Sequence, residues 1–131
     1  IYFKPMEVTQ VLNESSTNVA YRLGRLFAVL EKNQRDAIST ANATIKDRFF
    51  SSASATPGIV FPQLLRLNQH HTAKLSEGQK IHNERLMQEI LDGVDGFPSH
   101  LKLEDQGLFA LGYYHQRKAL FTKRSDESDT E

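Results

Sequence analysis

Five histidines, His70, His71, His82, His100 and His115, are the residues of this chain best suited to metal binding or proton transfer. Adjacent residues on a helix point about 100° apart, so His70 and His71 do not readily share one ion. The chain has no His-Glu-x-x-His pair, and no carboxylate stands at a matching helical step. Core or surface histidines are the plainer reading. No metal or other cofactor is expected. With no cysteine in the chain, thiolate ligands and disulfides are excluded. Serines cluster at Ser51–Ser54, but no glycine-flanked nucleophile turn surrounds them. Glu104-Asp105 and the Asp92/Asp95 pair read as a helix start and a helix end. The P-loop and dinucleotide fingerprints are missing. The expectation is a protein without enzymatic activity.

The basic residues carry more information. Arg22 and Arg25 stand about one turn apart, and Lys46 and Arg48 precede the Ser/Ala-rich stretch. Arg66 and Lys74 follow on a later helix, and Arg117 and Lys118 lie late in the last one. These eight are the candidate nucleic-acid contacts, as cations directed at phosphate. A solvated helix face paired with neighbours such as Glu31 and Asp47 is the plainer reading. Ser51–Thr56, read as a loop, would add hydroxyls and N–H groups near a helix N-terminus, a plausible phosphate seat or a plain connector. Phe109, Tyr113 and Tyr114 suit base stacking, but at helical spacing among leucines they read as core, with one tyrosine hydroxyl exposed.

Hydrophobic residues make up 39% of the 131 residues and charged residues 24%, which suits one folded domain. No apolar run approaches the ~20 residues that cross a bilayer, so no membrane is expected. No secretory leader is recognisable, and the cytoplasm is the simplest compartment. Position 1 is Ile, which reads as a fragment, a processed product or a trimmed chain. Net charge is zero, yet Asp126, Glu127, Asp129 and Glu131 all fall in the last seven residues. Residues 1–124 keep all 16 basic residues against 12 acidic ones, a net charge of +4. The body is therefore mildly basic, and residues 125–131 read as an acidic disordered tail.

Helices must position these groups. Residues 1–17 read as an N-terminal arm with at most one short turn around Val8–Leu12. Residues 18–124 read as the bundle domain. Val19, Leu23, Leu26, Phe27 and Leu30 share one face of a helix over about 19–34, with Asn18 as its cap. A second helix is expected over 36–50, with Ile38, Ala41, Ile45 and Phe49 as its stripe. Thr56-Pro57 reads as an N-cap and first helical residue, with Pro62 bending the helix or marking its regular start. Ser76 caps a helix to about Asp92, and the last helix runs from about Leu103 to Lys123. Two apolar stripes on that last helix predict a central position. Gly107 and Gly112 within it suggest a close backbone approach at each. No strand alternation persists. The fold class is all-α, a compact bundle of about five helices.

Several stretches together resemble one family. They are Tyr21-Arg22-Leu23-Gly24-Arg25-Leu26-Phe27-Ala28-Val29-Leu30-Glu31, Asn42-Ala43-Thr44-Ile45-Lys46-Asp47-Arg48-Phe49-Phe50, Ser52-Ala53-Ser54-Ala55-Thr56-Pro57, Phe61-Pro62 with Leu64-Leu65, and Gln106 through Arg117. Over roughly residues 18–122 the chain is similar to the C-terminal part of the Csd-type large subunit of type I-C CRISPR interference complexes. In those systems this end is also made separately, by internal translation, as the small subunit of the Cas-eleven type. The length of the chain favours the free small subunit, while an excised C-terminal domain of the large subunit has the same sequence.

The resemblance implies a helical bundle on the Cascade filament, touching the backbone subunits, the large subunit and a second small-subunit copy. Target DNA, as displaced non-target strand and target strand, would be the other partner, and guide RNA an indirect one. The implied task is to hold the R-loop open without cutting or unwinding DNA.

Overall fold

The computed structural model describes residues 12–38 and 44–129, with side chains to Phe121. Five helices occur among the described residues: α1 (Val19–Ala37), α2 (Ile45–Ala55), α3 (Pro57–Thr72), α4 (Glu77–Leu91) and α5 (Leu103–Asp129). The chain is an all-α bundle, and no strand occurs among the described residues.

The central helix is α1. From Ala20 to Glu31 every residue but Arg22 is buried. It packs on all four other helices, most extensively on α5. The expectation of a central last helix is therefore corrected. Among the residues of α5 described to Phe121, Phe109, Gly112, Tyr113 and Gln116 are buried, whereas Leu111 and Tyr114 on its other stripe are exposed. Phe27 of α1 sits at the middle of the core. Its ring meets Phe50, Phe61, Phe109 and Tyr113 edge-on at centroid distances of 5.5, 6.5, 5.9 and 5.8 Å. Such edge-to-face pairs add about 0.5–1.5 kcal/mol each beyond the area they bury.

Two glycines let α1 and α5 touch backbone to backbone. A Cβ on Gly24 would collide with the Phe109 carbonyl oxygen and stand 2.8 Å from the Tyr113 nitrogen. A Cβ on Gly112 would collide with the Tyr21 carbonyl oxygen and stand 2.9 Å from its carbon. The expectation for Gly112 holds. At Gly107 it does not, because nothing lies within 4 Å of the added atom.

The helix ends follow local chemistry. Asn18 caps α1 by accepting from the Tyr21 N–H at 2.9 Å. Residues 36–37 belong to α1, which ends at Ala37 with Ile38 as its C-cap, so the single helix expected over 36–50 is corrected to two. The second begins at a capping box that the sequence reading overlooked. The Thr44 hydroxyl accepts from the Asp47 N–H, and the Asp47 carboxylate accepts from the Thr44 N–H, both at 3.2 Å. Ala41 lies outside the described residues. The expected loop at Ser51–Ala55 is helical instead. Ser52, Ser54 and Thr56 turn their hydroxyls back onto the carbonyls of Phe49, Ser51 and Ser52 at 3.1, 2.8 and 3.0 Å. Ser52 and Ser54 therefore stay in the helix rather than break it, and Thr56 is its C-cap. Ala53 and Ser54 are also buried.

Pro57 occupies the first turn of α3 as expected, but Thr56 gives it no side-chain cap. α3 continues through Pro62, whose side is solvent-exposed. Ser76 and Gln79 form a capping box at the start of α4. Polar side chains also tie α1 to α3 and α4. Asn33 donates to Asn68 at 2.8 Å and accepts from Asn83 at 2.6 Å, all three side chains being buried.

Of the N-terminal arm, residues 12–17 are non-helical with a turn at Glu14-Ser15, and the proposed turn at Val8–Leu12 falls almost wholly outside the described residues. α5 runs on through residues 125–129, within the stretch read from the sequence as an acidic tail. Extending an existing helix gains a hydrogen bond per residue without a new nucleation cost. No helix among the described residues is long and apolar enough to cross a membrane.

Candidate nucleic-acid interface

α2 and α5 meet so that a cation of α2 lies over rings of α5. Lys46, in the first turn of α2, places its ammonium 5.7 Å from the Phe50 ring centre. The same nitrogen is 5.9 Å from the Tyr113 ring and 5.6 Å from the Tyr114 ring of α5. One turn further along α5, the Arg117 guanidinium lies 4.9 Å from the centre of Phe121. Arg35, near the end of α1, approaches the same ring at 4.8 Å. Cation–ring contacts of this kind hold a charge in place at about 0.5–1 kcal/mol each when exposed.

A buried acid organises the group from beneath. Glu31 of α1 is 5% exposed and accepts from the Tyr113 hydroxyl at 2.5 Å. The Arg117 Nε stands 3.7 Å from the same carboxylate oxygen, within ion-pair range but without a hydrogen bond. Burial, then the hydrogen bond to Glu31 and its charge, push the Tyr113 phenol well above its usual pKa. Tyr113 is thus a fixed neutral donor, and Glu31 holds the base of Arg117 in position.

Tyr114 points outward. Its ring packs against Tyr113 at 4.8 Å and tilts against Phe50 at 6.5 Å, yet half of its surface, 50%, is open to solvent. The sequence expectation of an aromatic core with one exposed tyrosine agrees with this arrangement. Arg48 is exposed on α2, its guanidinium 5.5 Å from the Phe49 ring. Lys118 is exposed beside Arg117 on α5.

The other candidates stand elsewhere. Arg66 and Lys74 are exposed on α3 and the turn after it and are not among the cations that meet these rings. Arg22 is committed to the protein's own backbone. It donates to the carbonyls of Ser16 at 2.7 Å, Ile90 at 3.1 Å and Asp92. Arg25 is buried, 2% exposed, and its Nε donates to the Gln116 side chain at 2.9 Å. Arg22 and Arg25 are thus turned to the interior and to α4, while Lys46 and Arg117 are brought together.

Arg35 and Glu31 complete the group with Tyr113 and were not among the sequence candidates, whereas Tyr113 was weighed for stacking and read as core. Their signal was weak. Glu31 and Arg35 are four residues apart on α1, as Arg117 and Phe121 are on α5, which places each pair on one face. Only the docking of α1 on α5 joins the two faces.

Among the described residues, no three histidine or acidic side chains come together as metal ligands. The surface offers fixed positive charge beside a half-exposed ring, groups suited to phosphate contact and base stacking.

Fold and face together define an all-α module with a cation–aromatic surface. Over residues 2–121 the chain matches the family described as CRISPR-associated protein (Cas_Csd1), and it belongs to that family. This is the Csd family to which the quoted sequence stretches are similar. No curated protein matches the chain.

Proposed function

We propose that this chain is the non-catalytic small subunit, of the Cas-eleven type, of a type I-C CRISPR Cascade complex. Its task is to stabilise the R-loop by sequence-independent contacts to single-stranded DNA while it docks on the backbone subunits and the large subunit. Membership of the family supports the setting. The observation that carries the DNA role is the placement of Lys46 over Tyr114, with Arg117 and Arg35 over Phe121. Exchanging a DNA duplex for an RNA–DNA heteroduplex is close to balanced in energy, so modest backbone contacts decide its extent. One base stacked on an aromatic ring contributes about 1–3 kcal/mol, which suffices for that role.

The test is binding of an oligothymidylate by the whole chain across a salt series. About three phosphate contacts give a slope of log affinity against log salt of roughly −2. Lys46→Glu with Tyr114→Ala is expected to lower affinity about tenfold or more with the helical circular dichroism unchanged. Unchanged binding in that variant overturns the DNA role.

A second reading, an adaptor that only bridges protein subunits, is favoured by the exposure of Leu103 (82%) and Ile59 (67%). Under it, the same charge reversal blocks assembly and leaves the DNA affinity of assembled complexes intact. Either role also fits the same fold as the C-terminal domain of a large subunit.

A further inference from the structure

A cavity of about 330 Å³ opens between α1, α4, α5 and the segment before α1. Its walls are the apolar side chains of Leu12, Leu86 and Leu120, and Arg25 and Gln116 contribute its polar surface. Arg25 is 2% exposed. Its Nε–H donates to the Gln116 Oε1 at 2.9 Å, its one hydrogen bond among the described residues. That bond fixes the plane of the guanidinium and leaves the donors of both terminal amino groups for the cavity.

The mouth carries Glu14, Glu89, Arg85 and His82, all exposed. Two carboxylates stand there against the Arg85 guanidinium, all of them solvated. Arg25 is the buried cation of the lining. Burial draws the Arg25 pKa below its ordinary value, with Glu14, Tyr21 and Glu89 opposing the shift and the neighbouring Arg22 adding to it. A buried cation with unused donors gains from a fully paired anion.

We propose that this cavity is a receptor for a carboxylate carried on a short apolar stem, and that its occupant is a glutamate or aspartate side chain of a docking protein. A planar carboxylate matches the guanidinium fork through two parallel hydrogen bonds. The leucine walls accept the methylene stem. Glu14 and Glu89 at the mouth disfavour a phosphate dianion more than a single negative charge. The site is separate from the cation–aromatic face and does not rest on the DNA reading.

The test follows the Arg25 Nε–H and the Leu86 and Leu120 amides by ¹H–¹⁵N spectroscopy of the whole chain. Probes are butyrate, butyramide, inorganic phosphate and a capped Ala-Glu-Ala peptide. Butyrate and the peptide are expected to shift one common set of resonances saturably, with butyramide about tenfold weaker. Arg25→Gln is expected to abolish the response. Should that variant fail to fold, Ala119→Leu narrows the cavity with Arg25 in place and is expected to abolish it too. Tighter binding of the peptide than of butyrate supports the protein side chain as occupant. Tighter binding of butyrate supports the carboxylate receptor and overturns the protein occupant in favour of a free acid. Equal response to butyramide, tighter binding of phosphate, or no saturable shift overturns the receptor itself.

Discussion

The Tyr113 hydroxyl of α5 donates to the Glu31 carboxylate of α1 across 2.5 Å, with both side chains almost sealed from solvent. Removing the hydroxyl leaves a buried acid short of a donor. Tyr113→Phe is expected to lower stability at neutral pH by about 1–3 kcal/mol.

The pH dependence of that loss has a definite sign. In the unfolded chain Tyr113 ionises near its ordinary value of 10.0, whereas in the fold burial and Glu31 hold its proton to higher pH. The stability contributed by the neutral phenol is complete below about pH 10 and declines above it, at up to ~1.4 kcal/mol per pH unit. The gap between the parent and Tyr113→Phe should therefore shrink as pH rises beyond 10. Urea unfolding of both proteins between about pH 8 and 11 measures it.

Substitution of three glycines by alanine should separate into two classes. Gly24→Ala and Gly112→Ala press a methyl group into the facing backbone, and each is expected to cost roughly 3 kcal/mol, the upper end for overpacking. Gly107→Ala meets open space and is expected to stabilise α5 by about 0.5–1 kcal/mol. Chemical denaturation ranks all three. An equal loss at all three positions would contradict the close α1–α5 crossing.

Arg22 and Lys46 should exchange rank between stability and DNA affinity. Arg22 satisfies Ile90 and Asp92 carbonyls at the C-terminal end of α4, which also places its charge at the favourable pole of that helix. Arg22→Ala is expected to cost about 1.5–3 kcal/mol in unfolding free energy. Lys46→Ala, whose amine makes only ring contacts, one of them to the half-exposed Tyr114, is expected to cost about 0.5 kcal/mol. Oligothymidylate binding should respond in the reverse order. Thermal melts paired with a binding titration on each variant decide the matter.

Much of this fold was legible in the sequence. The 3.6-residue recurrence of Val19, Leu23, Leu26, Phe27 and Leu30 gave α1 because a helix buries one face. Ser76 gave the start of α4 because its hydroxyl meets an orphan N–H. Such signals are local, carried within one or two turns. The serines of 51–55 misled for the same reason. Serine suits both a loop and a back-bonded helical turn, and the burial of Ala53 and Ser54 decides between them.

The family itself was set by the order and spacing of residues along the chain, since the quoted stretches are a linear property. The candidate surface was only half visible there. Composition and charge supplied a mildly basic body and a set of cations with no order of merit among them. Tertiary structure sorted them, because burial and ring contact depend on residues far apart in the chain. Docking α1 on α5 turned Arg25 inward toward Gln116, and the α2–α5 contact set Lys46 over Tyr114. The two arginines on α1 that looked equivalent, Arg22 and Arg25, ended in different surroundings. One caps carbonyls of α4 and the other lines a cavity. Helical periodicity fixes which face a residue occupies, but only packing decides what that face meets.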